Sequence, residues 1–121
     1  MNILLVDDDA MITELLSMKL GEKGYNVEQV SNGWDALKEL STQKYDLLIT
    51  DLMMPDISGL TVISLLKNYV FGKIPVIIIT SLDQSTMVLS GMGLGASDYF
   101  VKPINVEKLL NRIRKLTAGK A

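Results

Sequence analysis

Short apolar runs and segments of helical period take strict turns along this chain, and that alternation limits its folds more than any other feature. Ile3-Leu4-Leu5-Val6, Leu47-Leu48-Ile49 and Val76-Ile77-Ile78-Ile79 have strand length and no polar face, the pattern of strands buried on both sides. Tyr25 to Val30 alternates apolar with polar, which predicts an edge strand with less cover on one side. Tyr99-Phe100-Val101 is a fifth, shorter strand. The first helix starts near Met11, with Met11, Ile12, Leu15, Leu16 and Leu20 expected on one stripe, and Gly21 and Gly24 stop it. Asn32 is placed to cap a second helix that turns Ala36, Leu37 and Leu40 inward. Ser58 is placed to cap a third, carrying Leu60, Ile63, Leu66 and Val70. A fourth runs from about Gln84 to Leu94, and Asn105 caps a fifth with Val106, Leu109, Leu110, Ile113 and Leu116 on one side.

Strands that alternate with helices form parallel βαβ units, and right-handed crossovers then put helices on both faces of the sheet. The three fully apolar strands belong in the centre and the alternating one at an edge. The expected fold is therefore a doubly wound, five-stranded parallel sheet of order 2-1-3-4-5, flavodoxin-like, with its switch point between strands one and three. Residues 1–121 are expected to form a single domain.

Composition removes several classes of function. There is no cysteine, so no disulfide framework or thiolate chemistry, and no histidine, the commonest general base and metal ligand. A formal net charge of −2 gives no global pull toward nucleic acid or an anionic membrane. No signal-peptide pattern opens the chain and no apolar run approaches a membrane span, so a cytoplasmic location is the expectation.

Asp7 and Asp8 follow the first strand, and Asp51 ends the third. The expected switch point brings these three carboxylates into one crevice. Taken singly, Asp51 could cap a turn, and Asp9 reads as no more than the N-cap of the first helix. Together the carboxylates repel: two of them about 4 Å apart cost roughly 4 kcal/mol at an effective dielectric near 20. A cation is therefore expected, and an all-oxygen donor set suits a hard one, Mg²⁺ or else Mn²⁺. Thr80 and Lys102 end strands four and five on the same rim. They supply a hydroxyl donor and a positive charge, the complement of a phosphoryl group.

Five short motifs, in order and at family spacing, carry a resemblance that covers essentially the whole chain. They are Val6-Asp7-Asp8-Asp9, Asp51-Leu52-Met53-Met54-Pro55 with Gly59, Ile79-Thr80-Ser81, Gly95-Ala96-Ser97-Asp98-Tyr99 and Lys102-Pro103. The chain resembles the receiver domain of two-component response regulators. That resemblance implies that Asp51 is the phosphoacceptor, attacking a phosphohistidine on a sensor histidine kinase or a histidine phosphotransfer protein. It implies Mg²⁺ held by Asp8, Asp51 and the backbone carbonyl of Met53, with Asp7 acting mainly through water. Thr80 and Lys102 would hold phosphoryl oxygens, Tyr99 would change rotamer on activation, and the Lys102-Pro103 bond would be cis. Receivers also carry side chains over the approach to phosphorus two positions after the acceptor and two after the threonine, here Met53 and Leu82. Ile57-Ser58 and Ser81 depart mildly from the commonest family pattern without touching this chemistry.

From Gln84 to Ser97 no residue is charged, yet Met87, Val88, Leu89, Met92 and Leu94 are all there. Gly91 and Gly93 weaken the helix by roughly 1 kcal/mol each relative to alanine. A labile, adhesive fourth helix is expected, in a face (helix four, strand five, helix five) that responds to phosphorylation and supports a homodimer. The alternative is a deeply packed helix. Among rival functions, a haloacid-dehalogenase-type phosphohydrolase needs a second acid two residues after the nucleophile, where this chain has Met53. A flavin module needs a phosphate-cradling loop where this chain has three aspartates. Lys108, Arg112, Arg114 and Lys115 cluster on the last helix, a pattern of a solvated or protein-facing surface more than of a direct nucleic-acid contact.

Overall fold

The structure, a computed structural model, describes residues 1–68, 73–81 and 84–119. Its elements follow the expected alternation. They are β1 (Asn2–Val6), α1 (Ala10–Glu22), β2 (Asn26–Val30), α2 (Gly33–Thr42), β3 (Leu47–Asp51), α3 (Gly59–Asn68), β4 (Val76–Thr80), α4 (Ser85–Gly93), β5 (Asp98–Val101) and α5 (Val106–Leu116). All four strand pairings are parallel, and the order is β2-β1-β3-β4-β5.

Each central strand sends alternate residues to opposite faces, so the sheet has two cores. Ile3, Leu5, Leu47, Ile49, Ile77 and Ile79 meet Leu16 and Leu20 of α1 and Leu109, Leu110 and Ile113 of α5. Leu4, Val6, Leu48, Val76 and Ile78 meet α2, α3 and α4 through Ala36, Leu40, Val62, Ile63, Leu66 and Val88. The strands β3 and β4 are buried along their whole length, whereas β2 is half-open, as expected of an edge.

The predicted caps form. Asp9 accepts from the Met11 N–H at 3.0 Å, Asn32 from Asp35 at 2.8 Å, Ser58 from Leu60 at 3.0 Å and Asn105 from Lys108 at 3.1 Å. Each satisfies an otherwise orphaned amide of a first helical turn.

Two expectations about helices need correction. The α1 stripe does not all face the sheet: Thr13, Leu16 and Leu20 are buried and Ile12 is half-buried, while Met11 (81 % exposed) and Leu15 point outward with Met18. Five apolar positions cover too wide an arc for one flat sheet to bury, and the row through residues 12, 16 and 20 is the one that docks. On α4, Val88 and Gly91 are buried, Met87 and Met92 pack partly against the core, and Leu89 is 75 % exposed with Leu94 also outside. The deeply packed alternative does not hold: the helix buries one face and leaves the expected apolar ridge. Val70 and Leu82 lie outside the described residues.

Candidate functional site

Register places the site. Because Val6 pairs with Thr50 and Asp51 with Ile79, the ends of β1, β3 and β4 stand level at one rim. β1 ends at Val6, so Asp7 and Asp8 both lie beyond the regular strand and are free of its strict up-down alternation. One oxygen from each of Asp7, Asp8 and Asp51 lies within 4.8 Å of the others. Asp7 (1 % exposed) and Asp51 (5 %) are buried, while Asp8 is exposed.

Lys102 bridges the two buried acids, its Nζ at 2.8 Å from Asp7 Oδ2 and 3.2 Å from Asp51 Oδ2. The Lys102-Pro103 bond is cis, and the Lys102 amide donates to the Thr80 carbonyl at 2.7 Å, tying this loop to the end of β4. The other Asp51 oxygen accepts from the Leu52 N–H at 2.7 Å and from Met53 at 3.4 Å. The Asp9 amide donates to Asp7 Oδ1 at 2.9 Å.

Burial pushes the Asp7 carboxyl above its ordinary range; the hydrogen bonds from Lys102 and Asp9 pull it back, and the neighbouring Asp51 charge adds to the rise. For Lys102 burial works downward, but the Asp7 hydrogen bond and the charges of Asp51 and Asp7 outweigh it and hold the ammonium above its ordinary value. Three carboxylates against one ammonium leave the ionised crevice at about −2, the charge a divalent cation cancels. The donors are all oxygen, and exposed Asp8 would offer such a cation a ligand at the open side. The residues present fit Mg²⁺.

Gly59 closes the loop after β3. Its N–H donates to the Leu52 carbonyl at 2.9 Å, and a Cβ there would stand 2.0 Å from the Asp51 carbonyl oxygen. No side chain fits, so the motif needs glycine for space. Asp56 of the same loop accepts from the Gly33 and Trp34 amides, both at 2.9 Å, and so fastens the loop to the first turn of α2. Desolvation alone would raise the Asp56 carboxyl; the Trp34 and Gly33 amides outweigh it and hold it below the ordinary carboxylate range. In sequence Asp56 reads only as a turn residue, because its partners lie 22 and 23 positions back.

Thr80 is buried at the end of β4, and its hydroxyl donates to Gln84 Oε1 at 2.6 Å. Gln84 carries no sequence signal beyond its place at a helix start. Tyr99 is exposed on β5, beside a cavity of about 390 Å³ whose lining includes Thr80, Val88, Leu89, Met92 and Tyr99. Met53 is 54 % exposed next to the acids, where it supplies neither proton nor ligand side chain. On α5, Arg112 is ion-paired with Asp98 at 3.0 Å and donates to the Ser97 carbonyl at 3.3 Å, and Arg114 donates to Asn111. The cationic cluster thus spends part of its charge inside the protein.

Residues 3–114 match the response regulator receiver domain family. The chain belongs to that family. It is 40 % identical over 116 residues to SilR of Salmonella typhimurium, covering 96 % of this chain and 50 % of that protein. It is 37 % identical over 114 residues to the response regulator ArlR of Staphylococcus aureus, covering 94 % and 51 %. The chain therefore spans about half the length of these relatives. Among solved structures, it is similar to the signal receiver domain of a signal transduction histidine kinase from Syntrophus aciditrophicus, with a TM-score of 0.89 at 34 % identity over 98 % of this chain and 91 % of that one. It is also similar to the chemotaxis response regulator CheY4 of Vibrio cholerae, with a TM-score of 0.86 at 28 % identity over 95 % and 97 %. The chain is a signalling domain of two-component systems, a family that works with histidine kinases and phosphotransfer proteins. Nothing supports the phosphohydrolase alternative. Among the described residues, no helix is long and apolar enough to cross a membrane.

Proposed function

We propose that residues 1–121 act as one receiver unit in which Asp51 takes a phosphoryl group from a phosphohistidine on a sensor kinase or histidine phosphotransfer protein. The observation that carries this reading is Asp51 itself, buried at the sheet rim with Asp7, Asp8 and Lys102 converging on it. An Asp51 carboxylate oxygen attacks phosphorus in line, a P–O bond forms as the N–P bond breaks, and the imidazole nitrogen leaves with the electron pair. Mg²⁺, held by Asp8, Asp51 and the Met53 carbonyl with Asp7 behind a water, would neutralise charge on the phosphoryl oxygens when bound. Mn²⁺ suits the same donors.

Lys102 already lies within hydrogen-bond reach of Asp51, so its ammonium needs only a small shift to meet a phosphoryl oxygen. The added phosphate brings about −1.5 to −2 charges at neutral pH. Only in that state does Thr80 have a phosphoryl oxygen to exchange for its Gln84 acceptor, which is the differential contact a population shift requires. The cavity beside it gives the Tyr99 ring room to move inward from its exposed position. The face that changes is then α4, β5 and α5, where Leu89 and Leu94 are exposed. A second copy of this face is the proposed partner of the phosphorylated form, with no direct contact to nucleic acid. The domain assists its own Mg²⁺-dependent phosphorylation and dephosphorylation and is not otherwise an enzyme; its place of action is proposed to be the cytoplasm.

Incubation with acetyl phosphate and Mg²⁺ should add the mass of one phosphoryl group to the wild type. EDTA should abolish the gain, and so should Asp51→Asn. Equal labelling of the asparagine variant would falsify the assignment.

A further inference from the structure

Thr80 has one hydroxyl proton to donate and, at 1 % exposure, little solvent to receive it. Among the described residues two acceptors lie in reach, Gln84 Oε1 at 2.6 Å and the Ser81 carbonyl at 3.3 Å. The shorter contact has the better hydrogen-bond length, so the proton is held by Gln84. Gln84 occupies the N-cap position of α4 but makes no side-chain capping bond there. Its carboxamide reaches back to β4 instead. Glutamine is not among the favoured capping residues, and ordering its long side chain has an entropic cost, so helix initiation does not explain the arrangement.

From this geometry we infer that Gln84 is a latch on Thr80, and so a positioning residue for the phosphoryl switch. The inference rests on the reading of Asp51 as phosphoacceptor. A phosphoryl oxygen and Gln84 Oε1 compete for the same proton. Whatever removes the Gln84 acceptor therefore raises the affinity of the site for a phosphoryl group, because the two equilibria are linked. Release of the carboxamide also frees the first turn of α4 from β4, which gives the charge at Asp51 a direct route to the exposed Leu89 ridge.

Beryllofluoride binding in excess Mg²⁺, followed by fluorine NMR on the full chain, tests the latch. Gln84→Leu and Gln84→Ala should each bind roughly three- to tenfold more tightly than wild type, the factor expected for one competing hydrogen bond. In a Thr80→Val background the same substitutions should change affinity by less than about twofold, since the coupled partner is gone. Without any ligand or metal, the amides of residues 85–88 should exchange severalfold faster in either Gln84 variant. Tight binding by wild type with unchanged affinity in both Gln84 variants overturns the latch and leaves the phosphoacceptor reading standing. An equal gain in the Thr80→Val background also overturns it, because Gln84 would then act by another route. A wild type that neither binds beryllofluoride nor gains a phosphoryl group from acetyl phosphate overturns the phosphoacceptor reading, and the latch with it.

Discussion

Asp8 and Asp9 are neighbours of the same type with different work to do. The Asp9 carboxylate is spent on the Met11 amide at the start of α1, whereas an Asp8 oxygen belongs to the acidic cluster. Asp8→Ala should therefore weaken Mg²⁺ binding in titration calorimetry at least tenfold more than Asp9→Ala, and equal affinities would refute the ligand assignment. In EDTA, Asp8→Ala should raise stability by about 0.5 kcal/mol, the scale of an exposed charge interaction. Lys102→Met should do the reverse. It strands the buried charges of Asp7 and Asp51, and urea unfolding in EDTA should show a loss of about 2 to 4 kcal/mol. The raised Asp7 pKa fixes a sign as well. The folded state binds that proton more tightly than the unfolded chain, so the Asp7 contribution to metal-free stability falls as pH rises from the ordinary aspartate value through the raised one. Wild-type stability minus that of Asp7→Asn should therefore decline across that window in urea titrations. A difference that grows with pH would contradict the burial argument.

At the scale of elements, glycine is required at some positions and merely tolerated at others. Gly59→Ala would press a methyl group against the Asp51 carbonyl oxygen, and backbone cannot yield there as a side chain can. Thermal unfolding should show a loss of at least about 3 kcal/mol, with disturbed metal binding, because the obstruction is in the strand that carries the acceptor. The two glycines of α4 are not equivalent, although both read as weak points in sequence. A Cβ on Gly91 would meet Ile78 Cδ1 at 2.5 Å, whereas one on Gly93 would meet nothing within 4 Å. Gly93→Ala should stabilise by about 0.5 to 1 kcal/mol. Gly91→Ala should destabilise by about 1 to 2 kcal/mol through overpacking. A common sign for the two would contradict the overpacking against Ile78.

For the whole molecule, the proposed phosphoryl state sets two measurable quantities, its lifetime and its partner. Met53 is apolar, exposed and two residues after Asp51, and cannot orient a water for in-line attack. Met53→Asn should shorten the phosphoryl half-life several-fold on a Phos-tag gel, and the double substitution with Leu82→Gln should shorten it further. An unchanged half-life in both would remove the apolar-shield explanation. A lasting phosphoryl state would give the α4 ridge time to find a second copy, and a two-fold dimer is the simplest closed arrangement. Light scattering on the beryllofluoride-treated protein should show a rise toward twice the monomer mass. A strict monomer at high concentration would refute the dimer.

The alternation of elements, the central place of β1, β3 and β4, the edge position of β2 and four helix caps were all determined by the sequence alone. These follow from local periodicity, from side-chain hydrogen bonds of short reach, and from the one-handedness of parallel crossovers. The same patterns were enough to collect Asp7, Asp8, Asp51, Thr80 and Lys102 at one rim. Only the tertiary structure decided which α1 row docks, because residues 11, 12, 15 and 16 are equally apolar and the sheet chooses among them. It alone showed Lys102 clamped between Asp7 and Asp51, Asp56 fastened to α2 across more than twenty residues, and Thr80 held by Gln84. A polar side chain's partner is set by where two separate elements come to rest, and no periodicity in the chain encodes that distance.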